Sequence, residues 1–329
     1  MSESRDARIG KITKELEEGI RDVFLSGRYE EYLKTMSRFH GYSLNNTILI
    51  HSQCPNASRI AGYSAWQKLG RFVKRGEKGI TILAPAPYRK QVSEDVYDDM
   101  HLPVFDADGN QLRQEKEIIV PMFRPVTVFD VSQTDGEPLP ELAKPLDGRV
   151  DGYAELLTSL SRVSPVPVAF DDLPFRMDGM YRVDERKILI RSGMSERQTV
   201  LAIAHEMAHA LLHAELGAGE KDARTKEVEA ESVAYAVCAY YGIETGENSF
   251  GYIASWSEGK DLPELKKSLE TVRITSSDLI AKVSAELEIV RAGKEAEQDG
   301  PVSVIGRLEA LSRLAGKTRN DPGREDITI

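Results

Sequence analysis

Residues 201–213 read LAIAHEMAHALLH, placing three histidines and a glutamate on one apolar, helix-forming stretch. Positions four apart lie one turn above each other in an α-helix, so His205 and His209 can aim their imidazoles at a single point. Zinc takes nitrogen ligands at about 2.0–2.1 Å. Glu206 stands beside that point, where a carboxylate can take a proton from an activated water. That is the His-Glu-x-x-His arrangement of zinc peptidases. The bland alternative is a surface helix with two chance histidines. Only six histidines occur in the whole chain, and this pattern sits mid-helix among Ala, Leu and Met, which favours the metal. His213 continues the stripe but lies about 12 Å along the axis from His205, too far to share one ion. It reads as a C-terminal-turn histidine facing the helix dipole. The metzincin extension is missing, since Leu212 and Glu215 stand where its glycine and third histidine belong.

A zinc site of this kind needs a third protein ligand. TKEVEAESVAYAV, residues 225–237, offers Glu227, Glu229 and Glu231. Glu227 and Glu231 share a helical face, and Glu229 points away from it. The spacing predicts Glu227 as the ligand and Glu231 as a carboxylate bonding the outer nitrogen of a ligand histidine. A merely solvated acidic face is the competing reading, against which Val228, Ala230, Ala234 and Val237 argue for a packed helix. Between the two helices, AELGAGEKDART (214–225) is small and charged and is expected to be a mobile border to a cleft. KILIR (187–191) is expected to be the sheet edge along which an extended peptide lies.

Outward from the motif, Ser195 and Gln198 form a capping-box pair for the metal helix. MYRVDERKILIRS reads as a hairpin turning at Asp184-Glu185, YAELLTSLSR as a helix and VPVAF as a strand. Gly242 ends the second helix, and residues 262–295 read as a further one. DGEPLPELAKPLDG (135–148), rich in Pro, Gly and acid, marks a domain boundary. Before it, residues 10–53 carry helical periodicity, and YSAWQKLG is a short helix stopped by Gly70. RFV and GITILAP flank a KRGEK turn, PVFDADGNQL carries a hairpin-type Asp-Gly turn, and IIVPMFRPVTVFDVSQT adds strand. The expected layout is a domain over 1–132, a linker over 133–148, a domain over 149–295 and a polar tail over 296–329.

From Lys68 to Lys90 seven positive charges face Glu77 alone, in a chain of net charge −10. Tyr63, Trp66, Phe72 and Tyr88 are interleaved with them. Cations that track phosphates beside aromatics that stack bases make a single-strand-binding face. Lys68, Arg71, Phe72, Lys74, Arg75, Lys78 and Tyr88 are its candidates, and Trp66 is the aromatic expected in the core. A basic hairpin whose aromatics fill its own core is the alternative. Asn45 and Asn46 stand at a helix start, where capping is favoured over contact with a ligand, and SEDVYDDM (93–100) reads as a solvated acidic loop. The net charge gives no global attraction to nucleic acid or membrane. No apolar run nears the ~20 residues of a membrane span, and Cys54 and Cys238 make neither a disulfide framework nor a cysteine zinc site. These features predict a soluble cytoplasmic protein with no membrane partner.

RFHGYSLNNTILI and AGYSAWQKLGRFVKRGEKGITILAP resemble the N-terminal domain of ArdC-type antirestriction proteins and of LtrC-like proteins of conjugative elements. HEMAH and EVEAESVAYAV resemble their zincin-like domain and the ImmA/IrrE metallopeptidases, over roughly residues 25–260 in all. The resemblance implies a domain that binds single-stranded DNA, a Zn2+-dependent domain, and a role in protecting incoming DNA or assisting its transfer. It also implies His205, His209 and Glu227 as ligands and Glu206 as catalytic base. Glu231 departs from the ImmA/IrrE pattern, which has Asn or Asp there. The expected fold is α+β in two domains, a helical and β-hairpin DNA-binding module followed by a gluzincin-type metallopeptidase. Two alternatives are a DNA-binding antirestriction protein with an idle zinc site and a regulator that cleaves a repressor.

Overall fold

Helices α1 (Arg5–Val23), α2 (Arg28–Arg38) and α3 (Leu44–Gln53) open the chain. The computed structural model describes residues 5–25, 27–98, 100–106, 109–139, 152–214, 221–245 and 250–298. Ser43 caps α3 through its side chain, which accepts from the Asn46 N–H. A short strand β1 (Ile60–Ala61), helix α4 (Tyr63–Lys68) and strands β2 (Arg71–Val73) and β3 (Ile80–Pro85) follow. Then come β4 (Tyr88–Asp95), β5 (Arg113–Val120), β6 (Phe123–Asp130) and β7 (Thr134–Gly136).

β6 is the centre of a three-stranded antiparallel sheet of order β1-β6-β3. Its inner face and α3 enclose a small core of Phe39, Ile50, Ala57, Ile80, Ile82 and Val128. The free edge of β3 is closed by side chains. The Asn46 amide both donates to and accepts from the backbone of Leu83, and Gln53, seven residues on, does the same at Thr81. An edge strand left open is a template for stray pairing, so the expectation that Asn46 is structural holds. Trp66 is 2% exposed and donates its indole N–H to Phe129 O, a core residue as expected.

Strand pairing departs from the sequence reading in two places. β2 and β3 flank the KRGEK turn but pair elsewhere: β3 with β6, and β2 with β7. β7 lies at the start of the expected linker, so residues 134–136 belong to the sheet region. The acidic stretch 93–100 is not a plain loop either. β4 and β5 form a two-stranded ribbon, extended by bridges Tyr97↔Pro103 and Phe105↔Gln111, and Ser93, Glu94 and Asp95 are part of it. The Asp-Gly turn expected at its end falls partly on residue 108, outside the described residues.

The second half contains α5 (Tyr153–Val163), β8 (Val168–Asp171), β9 (Gly179–Arg182) and β10 (Lys187–Arg191). It continues through α6 (Glu196–Leu212), α7 (Ala223–Tyr240), α8 (Ile253–Ser257) and α9 (Leu262–Gln298). The large core joins α6, α7 and α9 to α1 and α2, through residues such as Ile20, Tyr32, Leu33, Met36, Ile203, Val233, Leu269 and Ile280. Tyr29 and Ser232 share a hydrogen bond of 2.8 Å, and the Tyr235 hydroxyl donates to Glu30 at 2.7 Å. α2 therefore rests on the helix that carries Glu227. Among the described residues no helix is long and apolar enough to cross a membrane.

Candidate metal centre

α6 begins where the sequence places it. Ser195 accepts from the Gln198 N–H, and the Gln198 side chain accepts from the Ser195 N–H, completing the capping box. α7 is capped by Asp222, which accepts from Thr225 N–H at 2.9 Å. Ala204, Met207 and Ala208 on α6 and Val228, Ala230 and Val233 on α7 are fully buried. Packing thus fixes the rotation of both helices, and with it the direction of their polar side chains.

That rotation brings His205, His209 and Glu227 together, with one ligand atom from each inside a span of 4.8 Å. The two Nε2 atoms are 3.1 Å apart, and each is 3.5 Å from an oxygen of Glu227. On a tetrahedral ion with bonds of 2.0–2.1 Å, neighbouring ligand atoms stand about 3.3 Å apart. The triangle fits one divalent cation, and imidazole with carboxylate is a suitable donor set. The Glu227 side chain is 60% exposed, so the point they face lies at the surface mouth of the helix pair. The two imidazoles facing Glu227 hold its carboxyl far below the usual range, despite an opposing effect of burial. Burial alone would lower His205. The Glu227 hydrogen bond and the charges of Glu206, Glu227 and Glu231 more than offset it, and its pKa is raised.

Glu206 packs against Gly179 and is 8% exposed. Burial raises its pKa, against the nearby His205 and His209 and a hydrogen bond from the Tyr181 backbone N–H. A Cβ at Gly179 would lie 2.8 Å from Glu206 Cγ, so glycine there leaves the room this carboxylate occupies. Tyr181 and Gly179 both lie on β9. KILIR is not the sheet edge: it is β10, the central strand of order β8-β10-β9, parallel to β8 and antiparallel to β9. The edge beside Glu206 is β9. A buried run such as Ile188-Leu189-Ile190 is what a strand covered on both sides carries, and that signal was present in the sequence.

The remaining acids of α7 are placed differently from expectation. Glu231 accepts a hydrogen bond from the Tyr252 hydroxyl, and reaches His205 only through its charge. Glu229 is fully buried, ion-paired with Lys221 and against His213. His213 caps α6 and turns its ring inward onto His209 and Glu229. Of the inter-helix segment expected to be mobile, residues 215–220 lie outside the described residues, and Asp222 to Thr225 form the capped start of α7.

The basic segment divides into two groups. The Arg71 guanidinium is consumed by the fold: it donates to Thr134 Oγ1 and to the carbonyls of Thr134, Gly136 and Glu137. Lys74 donates to Ser132 O at 2.9 Å. Lys68, Arg75, Lys78, Phe72 and Tyr88 are exposed.

A helix carrying His-Glu-x-x-His beside a second helix with a facing glutamate, next to a short mixed sheet, is a metallopeptidase-like fold. Residues 166–242 match the model of the IrrE N-terminal-like domain, a peptidase M78 family, and residues 3–129 match that of the N-terminal domain of anti-restriction factor ArdC. The chain therefore joins a region similar to the ArdC N-terminal domain to one similar to the IrrE N-terminal-like domain, in an α+β layout. It is 27% identical over 305 residues to protein pXO2-81 of Bacillus anthracis, covering 82% of this chain and 50% of that one. The chain thus spans about half the length of this curated relative. It is also similar to crystal structures of the antirestriction ArdC protein from plasmid R388. The metal-free form is 18% identical with a TM-score of 0.46, and the Mn(II)-bound form 16% identical with a TM-score of 0.44. Each match covers 75% of this chain and 85% of that one.

Proposed function

We propose that this protein is a zinc-dependent metallopeptidase with a single-strand-DNA-binding domain, acting in antirestriction or in the transfer of mobile-element DNA. The observation that carries the reading is the His205–His209–Glu227 triangle with Glu206 buried beside it. Zinc, when bound by these three side chains, supplies a Lewis acid for a peptide carbonyl and for water. Glu206 takes a proton at its carboxylate and returns it to the leaving amine, a task that suits a carboxyl raised by burial. The Tyr181 N–H holds that carboxylate in place. An extended peptide lies along the outer side of β9.

Residues 1–132 and 149–295 are assigned DNA binding and peptide chemistry respectively, with 133–148 between them. The exposed Lys68, Arg75 and Lys78, with Phe72 and Tyr88, support a face for unpaired bases and phosphates. The similarity to the ArdC N-terminal domain supports the antirestriction role.

The test is transfer of unmodified plasmid DNA into a restricting host, run beside incubation of the zinc-loaded protein with host proteins. Wild type should protect the DNA and cleave at least one host protein, and Glu206→Gln should lose the cleavage while keeping its zinc. Protection without cleavage in both proteins would replace the peptidase reading with an idle zinc site. Cleavage of a repressor without any DNA binding would replace it with a regulator.

A further inference from the structure

Behind His209 runs a buried polar chain that the proposed chemistry does not use. His209 turns Nε2 toward Glu227, and its Nδ1 lies 3.1 Å from Nδ1 of His213. Nε2 of His213 is 3.3 Å from Oε2 of Glu229. Both Glu229 oxygens accept from Lys221 Nζ at 2.7 Å. The side chains of His213 and Glu229 are 6% and 1% exposed, and Lys221 at the far end reaches the surface, at 31%.

Metal binding leaves one consistent arrangement of protons. A His209 that offers the Nε2 lone pair to a cation carries its proton on Nδ1. Nδ1 of His213 must then accept that proton's hydrogen bond. The His213 proton therefore sits on Nε2 and is donated to the Glu229 carboxylate. Glu229, charged and buried, is matched by Lys221. Each member fixes the next.

Glu229 is buried while Lys221 is partly exposed, and desolvation of the Glu229 charge offsets much of the attraction between them. Glu229 and Lys221 need another reason to be there, and the histidine they lead to is a metal-site histidine. We infer that His213 and Glu229 are a positioning pair: through His213, Glu229 fixes the tautomer and ring plane of His209 and so presents its Nε2 to a divalent metal ion. This rests on the metal reading of His205, His209 and Glu227. It gives His213 a role other than facing the helix dipole. It gives Glu229, rather than Glu231, the task of orienting a ligand histidine.

The experiment is zinc titration of the stripped full-length protein, repeated with Co2+ to read the visible ligand-field bands. A wild-type protein that binds neither ion defeats the metal reading itself. Given wild-type binding, His213→Ala should weaken zinc affinity by about 10–100-fold, the usual effect of removing a hydrogen-bond partner of a ligand histidine. It should also shift the Co2+ bands. His213→Asn places an oxygen near the former Nδ1 and can still accept from His209, so it should recover most of the lost affinity. Glu229→Gln, which keeps the shape and loses the charge, should fall between wild type and His213→Ala. Wild-type zinc affinity and an unshifted Co2+ spectrum in His213→Ala would overturn the inference. Equal losses in His213→Ala and His213→Asn would overturn it too, assigning His213 to packing of the helix end alone.

Discussion

The α6–α7 helix pair and the sheet region around β2, β6 and β7 both present polar side chains at the surface, but they hold them differently. On the helices the candidate ligands, with His205 and His209 one turn apart, stand on backbones whose far sides are packed, as at Ala204, Ala208 and Val228. Local spacing then decides which groups converge. On the sheet the partners come from far along the chain: β2 pairs with β7 across about sixty residues, and Arg71 is spent on holding that pair together. There a charge read from sequence is as easily part of the scaffold as part of a ligand face. A helix motif names its own geometry, whereas a charge cluster in strands does not.

The largest expected effect breaks the helix side of this contrast directly. His209→Ala and Glu227→Ala should each take the protein from about one bound zinc per chain to none detectable by atomic emission, as loss of one of three ligands implies. His213→Ala should remain loaded at saturating zinc, with only its affinity reduced. Full zinc content in Glu227→Ala would mean that convergence of the triangle does not define the site.

Next in size is the position of Glu206. In Gly179→Ala the new methyl meets Glu206 Cγ at 2.8 Å, so the carboxylate must move. Displacement of a reacting group by about 1 Å can cost on the order of 100-fold in rate. Gly179→Ala should therefore retain zinc but lose about two orders of magnitude of peptide hydrolysis, measured on any host protein that wild type cleaves. An unchanged rate would show that Glu206 is not the base, or that β9 yields freely.

The sheet side has its own fixed point in Asp130, which is 1% exposed. Burial would raise its carboxyl, but hydrogen bonds from the Ser132 hydroxyl and from the backbone N–H groups of Ser58, Ser132 and Arg59 outweigh this and lower it. A carboxyl lowered in the folded state contributes stability that is present above its unfolded value, near 3.9. That stability is lost as pH falls through the folded value. Asp130→Ala should cost about 3 kcal/mol in urea unfolding at neutral pH, with the difference from wild type shrinking only below about pH 4. Its zinc affinity should be unchanged. A parallel loss of zinc would show that the two regions are coupled through α3, whose Ile48 and Ile50 enter the large and the small core respectively.

These effects also show what was legible in the sequence. The α6 capping box, the pairing of His205 with His209 and the core position of Trp66 follow from local periodicity or from one residue's chemistry, whereas periodicity put Glu227 and Glu231 on one face alike. The β2–β7 pairing and the turn of His213 toward Glu229 depend on contacts between separate segments, for which spacing along one element carries no information, whereas the central place of β10 was signalled by its own apolar run. The Asp130–Gln133 capping box was readable from DVSQ, as an acid followed three residues later by Gln, but it sits at a strand end where a helix signal is not sought. Glu231 was misplaced because its partner, Tyr252, lies on a later segment.

The smallest effect is the one that sharpens the sheet side. Full-length protein is required, because α1 buries Ile20 and Val23, and α2 buries Tyr29, Tyr32, Leu33 and Met36, in a core shared with the second half, and a fragment would expose them. Lys68, Arg75 and Lys78 are exposed, whereas the Arg71 guanidinium makes four hydrogen bonds to β7 and Glu137. Replacing the three lysine and arginine side chains with Ala should lower the salt dependence of single-strand binding by up to about 2 in log–log slope, at about 0.7 per phosphate contact. Phe72→Ala should weaken binding by about 1–3 kcal/mol without changing the slope, because stacking releases no counterions. Arg71→Ala should lower the melting temperature and leave the slope of the folded fraction as in wild type. A slope that falls with Arg71→Ala and not with the other three would place the phosphate face on the scaffold side of β2, and the exposed cluster would then be an ordinary solvated surface.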